Sequence, residues 1–139
     1  MFKKILLAAD GSEHSIRATK EVIKISSLNL NATVTVVLVA DYSQSKSDVL
    51  HSGSSVELNM KRRKKIVAIE DLLKRENINY RVIILHGVPG PAIFEYANKE
   101  KFDLLVIGSR GLNTLQEMML GSVSHKVIKR ADCPVLVVK

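Results

Sequence analysis

A chain of 139 residues, 46% hydrophobic and 25% charged, is long enough to bury one continuous core, and its composition excludes disordered, fibrous and collagen-like classes. Its apolar stretches, such as Val34 to Ala40 and Leu104 to Gly108, fall far below the roughly 20 residues that span a bilayer, so no membrane span is expected. The 21 basic against 14 acidic residues give +7, which draws nucleic acid, acidic lipid or a phosphorylated small molecule alike, while the single cysteine, Cys133, excludes an internal disulfide and fits a reducing cytoplasm.

The opening Met-Phe-Lys-Lys and its apolar run resemble a signal peptide, but the run meets Asp10 too early, and Phe2 to Ala9 reads as a first strand. Asp10-Gly11-Ser12 then supplies a turn and a helix N-cap, and Glu13 to about Leu28 has helical spacing of Ile16, Ala18, Val22, Ile23 and Ile25. Ala32 to Ala40 is a nearly continuous β-branched and aliphatic run, the composition of a parallel strand covered on both faces, and should lie centrally. Asp41 to Ser55 has no period and reads as a weakly ordered or functional loop.

From Val56 to Leu73 the apolar positions predict one long helix, with Glu70 to Lys74 and Asp71 to Arg75 as i,i+4 pairs. Tyr80 to Leu85 follows as strand, Pro89 to Lys99 as helix and Asp103 to Ile107 as strand, then a glycine-rich loop, a helix to Arg130 and a last strand, Pro134 to Val138. This βαβαβαβαβ order predicts one domain over residues 1–139: a single five-stranded parallel sheet, doubly wound, with right-handed crossovers and helices on both faces.

In such sheets ligands sit beyond the carboxyl ends of the strands, where the winding reverses. Three strand ends meet there: Asp10-Gly11-Ser12, Val39-Ala40-Asp41 and Gly108-Ser109-Arg110-Gly111. The last opens a spaced set, Gly108, Gly111 and Gly121-Ser122, with Ser124 just inside the final helix. Glycines can take positive φ and bare their amides to anionic oxygens, and a helix start adds unpaired N–H groups, so phosphate is the expected occupant, with the Ser122 and Ser124 hydroxyls as further donors. Neither the Walker A pattern nor G-x-G-x-x-G is present.

The stretch GSRGLNTLQEMMLGS, together with KKILLAADGS, VLVAD, GVPGPAI, DLLVIGSRG and CPVLVVK, resembles the universal stress protein family along essentially the whole chain. Its ATP-binding members carry G-x2-G-x9-G-S/T. The resemblance implies a Rossmann-like three-layer sandwich of the adenine nucleotide alpha hydrolase type. It implies ATP as ligand, alone or with Mg2+, with Asp10 and the Val39 main chain at the nucleoside and Ile107 at the adenine. Gly108, Ser109, Arg110, Gly111, Gly121, Ser122, Val123 and Ser124 are then implied at the phosphates, and a homodimer is implied through the closing strand, Val135 to Val138.

Simpler roles compete at several positions. Asp10 could merely cap the first helix, although its strand-end place favours nucleotide contact, and Arg110 either projects into solvent or pairs with a phosphate oxygen. Lys61 to Lys65 reads as a solvated helix face rather than a nucleic-acid site, since five consecutive positions wrap around a helix and the chain has no Trp for stacking; nucleic acid is therefore disfavoured as a partner. His14, His51, His86 and His125 lack metal-ligand spacing, and neither a metal site nor a catalytic residue is assigned. A nucleotide-dependent regulatory protein is the leading reading. The alternatives are a slow ATPase, with His14, Glu13 or Asp41 nearest the site, and an interaction module indifferent to nucleotide.

Overall fold

Strand and helix alternate through the residues that the computed structural model describes, 2–40, 60, 62–110 and 120–139. The elements are β1 (Lys4–Ala8), α1 (Glu13–Ser26), β2 (Thr33–Ala40), α2 (Val67–Arg75), β3 (Tyr80–His86), α3 (Pro89–Lys99), β4 (Leu104–Gly108), α4 (Ser122–Arg130) and β5 (Val135–Val138). The five strands form one sheet in the order β3-β2-β1-β4-β5, every pair parallel. The chain winds outward from β1 through β2 to β3, then returns to the other side of β1 for β4 and β5. The reversal lies between β1 and β4, where Ile5 to Ala8 pair with Leu104 to Ile107. β1 is thus the central strand, and β2 is interior beside it.

Successive side chains of a strand point to opposite faces, so each apolar run supplies both layers. Ile5, Leu7, Val34, Val36, Leu38, Leu104 and Val106 pack on one face against Ala18 and Val22 of α1 and Ile69 and Leu73 of α2. Leu6, Ala8, Val37, Leu105 and Ile107 pack on the other against Ile93 and Ala97 of α3, Val127 of α4 and Phe102. Burying each such aliphatic side chain contributes about 1.5–3 kcal/mol, and this two-sided burial sets the register. Among the described residues no helix is long and apolar enough to cross a membrane.

The long helix expected from Val56 to Leu73 is interrupted. Helical residues 62–64 end in a turn at Lys65–Ile66, where Ile66 sits at φ −114°, ψ 17° and is fully buried, before α2 begins at Val67. That turn changes the pairing: Glu70 accepts two hydrogen bonds from Arg63, at 3.0 and 3.2 Å, and a third from the Tyr80 hydroxyl at 3.0 Å. The expected loop over Asp41 to Ser55 lies outside the described residues, as do His51, Lys61 and Gly111.

Candidate functional site

The turn after β1 is built by three short side chains. Asp10 Oδ1 accepts the Ser12 amide at 2.9 Å, Ser12 Oγ accepts the Ser15 amide at 3.2 Å, and the Ser15 hydroxyl donates back to the Ser12 carbonyl at 2.8 Å. Ser12 is therefore the N-cap of α1 and Asp10 closes the turn ahead of it. Gly11 between them has φ +86°, and a Cβ there would stand 2.5 Å from the Lys65 carbonyl oxygen. This close approach brings the segment before α2 to the mouth of the crevice.

On the other side of the reversal, β4 leads into α4. The Gly121 amide donates to the Ser109 carbonyl at 2.7 Å and the Ser109 amide to the Val138 carbonyl at 2.7 Å, so the two ends of the glycine segment are tied together and to β5. Gly121 is the N-cap of α4, with no side-chain cap bond and no acidic residue in the first turn. Its carbonyl accepts the His125 amide at 3.0 Å, which leaves the amides of Ser122, Val123 and Ser124 as the orphan donors of the helix start. That arrangement, with the partial positive charge of the helix end, favours an anion.

Between these two strand ends lies a cavity of about 450 Å3, within the range of small-molecule sites. Asp10, Val39, Ile107, Gly108, Arg110, Gly121, Ser122, Val123 and Ser124 all line it. Nine of the expected residues are thus brought to one place. Ser109 is not among the lining residues: its hydroxyl lies 3.3 Å from His14 Nδ1. Ser124 lines the cavity, yet its hydroxyl donates to the Gly108 carbonyl at 2.6 Å and is 2% exposed, which ties α4 to β4 rather than offering a donor to a ligand.

Two glycines differ from expectation in their reason. Gly108 and Gly121 do not have positive φ; Gly121 lies at −63°. A Cβ on Gly108 would come 2.7 Å from His14 Cβ, so its bare backbone admits α1 as well as lining the cavity. The basic run also divides. Arg62 is only 6% exposed, against the expected solvated face, and Lys65 lines the cavity. His14 is half-buried, and burial first, then the charges of Arg17 and Arg110, hold its imidazole below the ordinary histidine value. His86 and His125 are exposed.

Other walls were not foreseen. Ser15 contributes from α1, Val88, Pro89, Gly90 and Ile93 from the start of α3, and Lys126 from α4, while Ser12 lines the cavity from the strand end already expected there. The helical spacing of Lys126 from Ser122 was a usable signal, while nothing local connects residues 88–93 to the crevice. Among the described residues no group of three His, Cys, Asp or Glu side chains could hold a metal ion.

A doubly wound parallel α/β sheet whose reversal opens onto an anion-favouring helix start defines the Rossmann-like class of fold. The universal stress protein family model matches residues 1–139, and the chain belongs to the universal stress protein family. Universal stress protein MJ0531 of Methanocaldococcus jannaschii is 35% identical over 144 residues, spanning 100% of this chain and 83% of that protein. The solved structure of the hypothetical protein MJ0577, from the same organism, superposes with a TM-score of 0.85 at 34% identity, covering 100% of this chain and 96% of that one. A universal stress protein solved in complex with cAMP shares the fold, with a TM-score of 0.70 at 24% identity over 99% of this chain and 97% of that chain.

Proposed function

We propose that this chain is a nucleotide-dependent regulatory protein that binds ATP in the crevice between β1 and β4. The observation that carries the reading is the start of α4: three amides without intrahelical partners, no capping side chain and no acidic residue in the first turn, lining a cavity large enough for a nucleotide. Lys65, Arg110 and Lys126 line the same cavity and add positive charge, while Asp10 offers a carboxylate at the strand end that suits a sugar hydroxyl. A universal stress protein with this fold has been solved in complex with cAMP, which supports an adenine nucleotide as the ligand.

In this reading the amides of Ser122 and Val123 hold phosphate oxygens, Val39 and Ile107 border the base, and Gly111 belongs to the same phosphate segment. Mg2+, where it accompanies ATP, is carried by the phosphates. Residues 1–139 act as one domain, in the cytoplasm where ATP is plentiful, and two copies pair through β5. Binding, rather than turnover, is the principal event: nothing in the crevice is assigned as a base for hydrolysis.

Isothermal titration of purified protein with ATP tests the reading. Saturable binding is expected, and Ser122→Asp should weaken it by at least about tenfold, roughly 1.4 kcal/mol. An aspartate in the first turn suits the helix, so the fold is retained while its carboxylate repels phosphate. Absence of ATP binding by the wild type, or an unaffected Ser122→Asp variant, overturns the assignment.

A further inference from the structure

We propose that Lys126 is a phosphate-reading side chain of the crevice and that Gly90 is the residue that positions it. The inference rests on the nucleotide reading above and adds a residue that neither the glycine spacing nor the family resemblance marks.

α4 begins at Ser122, and Lys126 follows four residues later, on the same helix face. Side chains on a helix lean toward its N-terminus, so the stem of Lys126 runs back over the turn that carries the orphan amides. Lys126, Ser122 and Val123 accordingly line one cavity.

A second helix fixes the path of that stem. Gly90 is buried in the first turn of α3. A Cβ there would stand 3.0 Å from Lys126 Cδ, 3.2 Å from its Cβ and 3.7 Å from its Cγ. Three carbons of the lysine thus lie across bare backbone, and the missing methyl is the shelf that lets them do so. The start of α3 has no acidic residue in its first turn, so no carboxylate there draws the ammonium aside.

An ammonium on a long stem is a compact charge with three donors, suited to phosphate and indifferent to base or sugar. Its contribution should therefore grow with the number of phosphates on the ligand. A lysine serving only to cover Gly90 would treat ATP, AMP and adenosine alike.

The test is calorimetric titration of wild type, Lys126→Met and Gly90→Ala with ATP, AMP and adenosine at low and moderate salt. Methionine keeps a long stem and removes the charge. Lys126→Met should lose about tenfold in ATP affinity, less for AMP and nothing for adenosine, and its ATP binding should depend less steeply on salt. Gly90→Ala should show part of the same ATP-selective loss, and none when introduced into a Lys126→Ala background. Thermal melts of each variant guard against misfolding, and the exposed Lys126 keeps the test valid if Gly90→Ala folds poorly. Unchanged ATP affinity in Lys126→Met, or an equal loss for all three ligands, overturns this inference alone. A wild type that binds neither ATP nor adenosine overturns the nucleotide reading and this inference with it.

Discussion

Gly11 stands where a side chain cannot. Its φ of +86° is a conformation that L residues rarely adopt, and a Cβ would meet the Lys65 carbonyl at 2.5 Å. Gly11→Ala should lower stability by at least about 1–2 kcal/mol from the backbone alone, more if the Lys65 turn has to move. Urea denaturation checks this through the midpoint, and a variant as stable as wild type would contradict it. The Asp10-Gly11-Ser12 turn was legible in the sequence because it is local: each bond joins residues two or three apart. Gly108 was not, because what it admits is His14, which lies far from it along the chain.

At the scale of elements, the Arg63–Glu70–Tyr80 cluster joins the segment before α2 to α2 and to β3. Glu70 is 8% exposed, and the Arg63 hydrogen bonds hold its carboxyl below the ordinary glutamate value. A depressed value in the folded state means that the unfolded chain takes up the proton first. The resulting stability is present above the ordinary value of 4.5 and disappears as pH falls through the folded one. Glu70→Gln should cost about 1–2 kcal/mol near neutral pH, discounted for the exposed Arg63, and the gap to wild type should close on acidification. Melting curves between neutrality and the acid limit measure it; a gap that is flat or widens toward acid would refute the argument. Sequence spacing pointed to Lys74, whose charge does help to lower the Glu70 carboxyl, but the direct ion pair is with Arg63. The turn at Lys65–Ile66 folds Arg63 back onto α2, and period alone does not reveal such a break.

For the whole molecule, β5 closes one side of the described sheet, with Val135 to Val138 each half-buried. Unpaired edge groups favour pairing with a second copy, which a two-fold axis makes antiparallel and self-complementary. Sedimentation at micromolar concentration should therefore give a dimer, and a monomer there would contradict the pairing. The crevice belongs to this scale too. It exists because the winding reverses between β1 and β4, which sets the β1 turn beside the start of α4.

What the sequence determined by itself was governed by short range and by periodicity, the break before α2 excepted. Continuous aliphatic runs specified two-sided parallel strands, helical spacing specified the crossovers, and Ser12 specified where α1 begins. Their alternation was enough to place the crevice at one edge of the sheet. Only the tertiary structure decided which cations reach it and which glycines serve packing. Lys65 meets Gly11, and Lys126 meets Gly90, across tens of residues. Those meetings depend on strand order and on how the helices seat against the sheet, and no local preference of the chain encodes either.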